Sequence, residues 1–315
     1  MQSQPALPAP RILPLPATVP YTLSEPNVLL LDQAEYALND GPWKPVEEIL
    51  RLDDDCRVQI GWNSRKIAVA QPWVTPEAPI VNTVHLRFRI QSEIACEGIQ
   101  LAMENVERVT LRWNGQPVQN TVTGWYVDKS IKTVALPPLR TGENVLEADV
   151  PFGERSGVEW SYLLGDFGVE AIGRHTRIVA ARKELAFGNI AVQGLPFYGG
   201  NLTYHILVET AGGEIRVRSS RYRGAMQEVR LDGGKEIPVI YPPYQAALGA
   251  PAPGRHTVDI TLYGHRRNGF GPLHLADTKE TFIGPKVWRT EGEYWTYDYM
   301  LCEEGVLNTP VITEA

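Results

Sequence analysis

Three cysteines in 315 residues leave little scope for covalent or metal chemistry. Cys56, Cys96 and Cys302 form no CxxC or other short ligand spacing, and an odd number makes a poor disulfide framework. They read as buried or idle thiols. Dense basic runs are also missing. Lys plus Arg number 30 against 37 Asp plus Glu, a formal net charge of −7, so nothing is concentrated enough to neutralise a phosphate backbone. Nucleic acid is therefore not an expected partner. No apolar run approaches the roughly 20 residues that a helix needs to cross a bilayer, so a membrane is not expected either. The lead, residues 1–26, carries Pro5, Pro8, Pro10, Pro14, Pro16 and Pro20 with no basic stretch followed by an apolar one. It reads as a linker or tail, and the chain is expected to be soluble, in the cytoplasm or a compartment left open. Finally, there is no strand–helix alternation long enough for a parallel barrel or a doubly wound sheet. Folds of that type, which commonly house sugar hydrolysis, are excluded.

What the sequence does have is a pattern that occurs twice. A short alternating strand ends in a Gly turn, and after a loop a Gly opens a second alternating strand. The first copy is Val109–Trp113 with Asn114-Gly115, then Gly142 to Val150; the second is Glu228–Leu231 with Asp232-Gly233, then Gly254 to Leu262. Asn-Gly and Asp-Gly suit hairpins that need positive φ at both turn positions, and period-two alternation gives each strand one buried face. The predicted fold class is all-β: two tandem antiparallel β-sandwiches of jelly-roll or galactose-binding-like type, with one short helix near the N-terminus.

The predicted division follows from these signals. Residues 27–78 hold a connecting strand, Asn27–Leu31, apolar enough to be buried on both faces, and a helix starting near Pro45. That helix is expected to show Glu47, Glu48, Arg51 and Asp54 to water. Residues 79–173 form the first sandwich, in which Val84, Leu86, Phe88 and Ile90 face inward and Gly165–Val169 is a last strand. Residues 174–285, opening around His175, form the second, in which Val258, Ile260 and Leu262 face inward. Residues 286–315 are an aromatic tail, with Trp288, Trp295, Tyr297 and Tyr299, which is expected to fold back on a sandwich because such rings offer a large area to bury.

The order of several segments resembles a known family. Asn27–Asp32 followed by Pro45–Leu50, then Gly124–Asp128, Gly194–Gly199 with Thr203-Tyr204, and Arg267–His274, resemble the carboxy-terminal, non-catalytic part of large bacterial glycosyl hydrolases. The alpha-L-rhamnosidase type and enzymes with family 2-like, galactose-binding-like sugar-binding sandwiches are the nearest likeness. The resemblance covers about Asn27 to Ile312. It implies catalytic carboxylates on a separate upstream domain, so that this chain is a fragment, a split gene product or a subunit whose partners are carbohydrate and an upstream glycosidase polypeptide.

Glycoside hydrolysis needs two carboxylates about 5 to 10 Å apart, and no feature pairs any two here, so no catalytic residue is assigned. The candidate carbohydrate contacts are Trp125, Tyr126 and Asp128 in one loop and Arg267, Asn268 and His274 in another. An aromatic face suits the C–H face of a sugar, and charged or amide groups suit its hydroxyls. The alternative for Trp125 and Tyr126 is that they fill a gap, and for Arg267 that it braces backbone carbonyls. Phe197 and Tyr198 read as core anchors. Asp128 and Asp166 suit turn capping or calcium, and calcium is the one cofactor held open. The histidines lack the i,i+4 pairing of a zinc site, and no serine sits in a nucleophile elbow. A lectin-like module and a structural spacer stand as alternative functions.

Overall fold

The structure, a computed structural model, describes residues 9–65, 78–277 and 284–315. The fold is all-β: antiparallel sheets dominate, with one helix of 11 residues, Ile49–Gln59. The chain forms two compact units. A terminal unit gathers the described residues up to Glu25, then Arg182–Arg267 and Cys302–Ala315; a central unit gathers Pro26–Ala181 and Asn268–Leu301.

In the central unit one sheet has five strands in the order Val122–Tyr126, Asp128–Ala135, Gln100–Glu104, Ser161–Gly165, Asn27–Leu31. Ser161–Gly165 and Asn27–Leu31 are buried at every position, as a continuous apolar run predicts. The second sheet is built on the long pair Asn82–Ser92 and Gly142–Phe152, in register from Gly142↔Ser92 to Phe152↔Asn82. Here the alternation reads as expected, with Val84, Leu86, Phe88 and Ile90 buried beside Leu146, Ala148 and Val150. The outward positions form charge ladders such as Arg87 with Glu35 and Glu147.

In the terminal unit a six-stranded sheet runs Glu184–Ala186, Thr18–Leu23, Leu202–Thr210, Gly254–Tyr263, Met226–Leu231, Ile237–Pro238. A four-stranded sheet runs Arg11–Ile12, Val311–Glu314, Ile215–Arg218, Gln245–Gly249. Tyr204, Ile206, Val258 and Ile260 of the first meet Ile215, Val217, Ala246 and Ile312 of the second in one core.

The repeated pattern is real in three dimensions. Asn114 and Gly115 have φ of 52° and 79°, and Asp232 and Gly233 have φ of 49° and 68°. In each copy the first turn residue reaches the long strand beside it through a reciprocal pair of hydrogen bonds. Asn114 N donates to Val145 O at 2.8 Å and Asn114 Oδ1 accepts Val145 N at 2.9 Å. Asp232 N donates to Thr257 O at 2.9 Å and Asp232 Oδ1 accepts Thr257 N at 2.8 Å. A side-chain oxygen thus continues the strand pairing where the backbone turns away.

Several expectations are corrected. The helix starts at Ile49, because Lys44–Glu48 pairs as a strand with Gln33–Leu38 and Glu48, at ψ 140°, is the N-cap. Pro45 lies inside that edge strand, where a missing N–H costs little. Glu48, expected in water, is fully buried. Gly165–Val169 is not one strand: Ser161–Gly165 and Gly168–Ile172 flank a turn at Asp166-Phe167. The Pro-rich lead, of which residues 1–8 lie outside the described residues, is structural, since Thr18–Leu23 joins a sheet and Leu13 and Val19 enter the core. His175–Val179 pairs with Gly168–Ile172 in the central unit rather than opening a second module. The chain changes unit after Glu25, Ala181, Arg267 and Leu301, whereas the sequence placed breaks after 26, 78, 173 and 285. Local patterns do not show which distant strand a terminal segment will pair with.

Candidate functional site

The loop singled out at Gly124–Asp128 is a bulged sheet edge. Val122–Tyr126 is the outermost strand of its sheet, with register shifts between Val122 and Gly124 and between Trp125 and Tyr126. Successive side chains of a strand point to opposite faces, so the two aromatic neighbours have opposite fates. Trp125 is 56% exposed, while Tyr126 is buried with its ring 5.3 Å from Tyr162 and 6.1 Å from Phe270. Val127 follows at φ 60°, a left-handed conformation that a β-branched residue adopts only under strain of about 1–3 kcal/mol. Asp128 opens the next strand and accepts Ser130 N at 2.8 Å and Ser130 Oγ at 2.7 Å, and those bonds hold its carboxyl below the usual range.

The second loop is divided. Arg267 belongs to the terminal unit, where its Nε donates to Cys302 Sγ at 3.1 Å; Asn268 and His274 belong to the central unit and are 1% and 3% exposed. Trp125, Asp128 and Arg267 reach solvent, and Tyr126, Asn268 and His274 are interior.

His274 leads to a cluster that sequence reasoning missed. Its Nε2 lies 2.8 Å from Asp32 Oδ2 and its Nδ1 lies 3.0 Å from Thr296 O, with the rings of Trp295 and Tyr299 at 5.0 and 5.3 Å. Tyr299 OH donates to Asp32 Oδ1 at 2.7 Å. Both neighbours of the imidazole present oxygen atoms that can accept, a setting that suits a ring carrying a proton on each nitrogen. Burial opposes that charge, but the hydrogen bond and charge of Asp32, with Glu48 and the Thr296 carbonyl behind them, hold the imidazole above its ordinary range. Glu48 completes the cluster. It caps the helix by accepting Arg51 N at 3.1 Å and takes Trp160 Nε1 at 2.6 Å. Burial raises its carboxyl to about 7 against the pull of the Trp160 and Leu50 donors; Asp32, whose carbonyl accepts Ile49 N at 2.8 Å, adds to the rise, and His274 opposes it. The signals were present but unconnected: Asp32 ends an apolar strand, and Tyr299 lies 267 residues away in the tail.

The same helix is held by two guanidinium groups. Arg57 pairs with Asp53 at 3.0 Å and donates to the carbonyls of Glu154 and Ser156, while Arg289 donates to Leu50 O at 2.7 Å and pairs with Asp54 at 2.9 Å. A pocket of about 40 Å³ is lined by Ile80, Met103, Val109 and Val150 together with Glu104 and Glu159. Burial, then the charge of Glu159, raises the Glu104 carboxyl, and Arg65, bonded to Glu159, opposes this.

In the terminal unit the structure brings two sequence motifs together. A Cβ on Gly264 would fall inside contact distance of the carbonyl oxygens of Gly199 and Gly200, and one on Gly199 would lie 2.8 Å from Arg266 Cα. Only glycines permit so close a backbone approach. Arg266 forks onto Glu25, and Tyr198 OH donates to Asn201 O at 2.7 Å while accepting Ser24 N at 3.1 Å. Phe197 and Tyr198 are 0% and 1% exposed, the core anchors expected. Among the described residues no group of three or more His, Cys, Asp or Glu side chains is placed to hold a metal ion. Among them, too, no helix is long and apolar enough to cross a membrane.

No protein-family model and no curated protein matches the chain. Solved structures do align with it. A family 2 beta-galacturonidase from Eisenbergiella tayi, bound to galacturonate, aligns at 12% identity and a TM-score of 0.26 over 76% of this chain and 37% of its own. A glycosyl hydrolase family 2 member from Bacteroides cellulosilyticus aligns at 11% and 0.26, over 76% of this chain and 32% of its own. An anti-sigma factor domain-containing protein from Clostridium clariflavum aligns at 10% and 0.20, over 75% and 90%. The chain thus spans about a third of the hydrolases it aligns with, and at these TM-scores the likenesses carry no argument about function.

Proposed function

We propose that this chain is the non-catalytic, carbohydrate-associated region of a glycoside hydrolase, bracing a catalytic domain carried elsewhere and adding contacts to its substrate. The reading rests on the family resemblance of its motif order. The observation that carries it is the use made of five of the six buried carboxylates among the described residues, Glu304 being the sixth. Asp32 holds His274 and Tyr299, Glu48 caps a helix, Asp53 holds Arg57, Asp259 holds His205 and Arg230, and Glu314 holds Arg11 and two backbone amides. Each serves the sandwiches. The test is a pull-down with the polypeptide encoded immediately upstream, together with glycosidase assays of the purified chain. A tight partner and no turnover are expected; turnover by this chain alone, abolished by changing one carboxylate, would overturn the proposal.

One observation favours a second reading, a lectin-like module. Trp125 offers more than half its surface to water at a sheet edge, next to the strained Val127 and a carboxylate at Asp128. Calorimetric titration against mono- and oligosaccharides separates the readings. Saturable binding lost in Trp125→Ala supports the lectin, and silence with no upstream partner leaves the spacer.

A further inference from the structure

Residues 273–276 and 294–300 form a clasp within the central unit. Ala276 N donates to Tyr294 O at 2.9 Å, Thr296 N to His274 O at 3.1 Å and Met300 N to Leu273 O at 2.7 Å. It is pinned to the rest of that unit mainly by side chains. His274 and Tyr299 converge on Asp32, Tyr297 OH donates to Glu47 Oε2 at 2.9 Å, and Arg51 stacks 4.5 Å from the Trp295 ring. On the far side Arg174 stacks on Tyr297 at 4.4 Å and donates to Gln33, Tyr299 N donates to Gly173 O at 3.0 Å, and Asp298 lies beside Gly173.

We propose that Asp32, Glu48 and His274 act as a proton-operated latch on this clasp, closed in mild acid and loosened as the pH rises past neutrality. With Glu48 neutral, the buried charges are one carboxylate and one imidazolium, and they cancel. The flanking cation Arg51 is already paired with Glu47 at 3.3 Å. Ionising Glu48 places a second carboxylate beside Asp32 in a site away from water, and deprotonating His274 removes the donor that Asp32 or Thr296 needs. Lifting the clasp returns these groups to water, where Glu48 ionises readily and His274 gives up its proton. Both protons are therefore released on opening, and rising pH favours the open form through each.

Hydrogen exchange of the full chain, followed by mass spectrometry at about pH 6 and about pH 8.5 and corrected for intrinsic rates, reads the latch directly. Protection in peptides spanning Thr296–Met300 is expected to fall about tenfold or more at the higher pH, a change equivalent to one pKa unit or above. Protection in Asn82–Ser92 and Gly142–Phe152 is expected to hold. Glu48→Gln, which keeps the size and the acceptor for Trp160 but gives up the one that caps Arg51 N, should lower protection at both pH values and shrink the fall between them. Equal loss in the long strands, no loss in the clasp, or an undiminished fall in Glu48→Gln would overturn the proposal. So would nitrogen resonances of labelled histidine showing His274 neutral at pH 7, a measurement that needs no variant.

Discussion

Asn114 is bound to Val145 twice, its amide donating to the Val145 carbonyl at 2.8 Å and its side-chain oxygen accepting the Val145 amide at 2.9 Å. The residue does this at φ 52°, a conformation Asn tolerates better than most side chains. Asn114→Ala keeps the unfavourable backbone and orphans the Val145 amide. A loss of about 1–3 kcal/mol is expected in chemical denaturation. Asn114→Asp keeps the acceptor for Val145 but loses the Nδ2 donor to the buried Asn144 Oδ1 at 3.0 Å, and should recover only part of it.

Gly264 is expected to be far less tolerant than Gly115. A methyl on Gly264 would run into two backbone carbonyls that cannot move aside, whereas one on Gly115 meets open space and bears only its φ of 79°. Gly264→Ala should cost about 2–4 kcal/mol, at the level of severe overpacking, and Gly115→Ala about 1 kcal/mol. Thermal melts of the two variants, run side by side, check the order.

Glu304 makes the terminal unit lose stability as the pH rises from mild acid to neutrality. It is 2% exposed, its Oε2 has no hydrogen-bond partner, and His265 Nδ1 stands 3.9 Å off. Burial raises its carboxyl to about 7 against the help of the His265 amide and Arg266. The folded state thus binds the proton more tightly than the unfolded state, whose carboxyl titrates near 4.5. Stability from this group is complete below about pH 4.5 and declines until about pH 7. Glu304→Gln should flatten that decline in a series of urea melts, and a slope equal to the wild type would refute the assignment.

Glu314 acts in the opposite sense. It accepts Arg11 Nε at 3.1 Å, Ala211 N at 2.6 Å and Gly213 N at 2.9 Å, and the Arg11 bond, with those amides, draws its carboxyl down to about 2. Its contribution is present above the ordinary carboxylate range and is lost as the pH falls toward about 2. Glu314→Gln should leave exchange at the Arg11–Ile12 and Val311–Glu314 pairing as fast at neutral pH as acid makes it in the wild type.

Much of this was legible along the chain. Val84, Leu86, Phe88 and Ile90 declared a half-buried strand, Asn27–Leu31 a strand covered on both faces, and Asn114-Gly115 and Asp232-Gly233 their turns, because each signal lies within a few residues. The helix start was misread for an equally local reason. Pro45 is a good first-turn residue, and only pairing with Gln33–Leu38 made Lys44–Glu48 extended.

The candidate site was less legible. Trp125 and Tyr126 were grouped by adjacency, but a strand sends neighbours to opposite faces, so one is open to solvent and the other is core. His274 is named from the sequence as a candidate carbohydrate contact, and nothing near it announces Asp32, 242 positions earlier.

By itself the sequence determined the all-β class, the period of its strands and the hairpins, since these depend on backbone preferences and on which side chains avoid water. Tertiary structure alone decided that the Pro-rich lead and the last strand share a sheet system, and that Asp32, Glu48 and His274 meet in the interior. Pairing between distant segments is chosen by the area buried and the charges neutralised together, and neither quantity belongs to any single stretch of the chain.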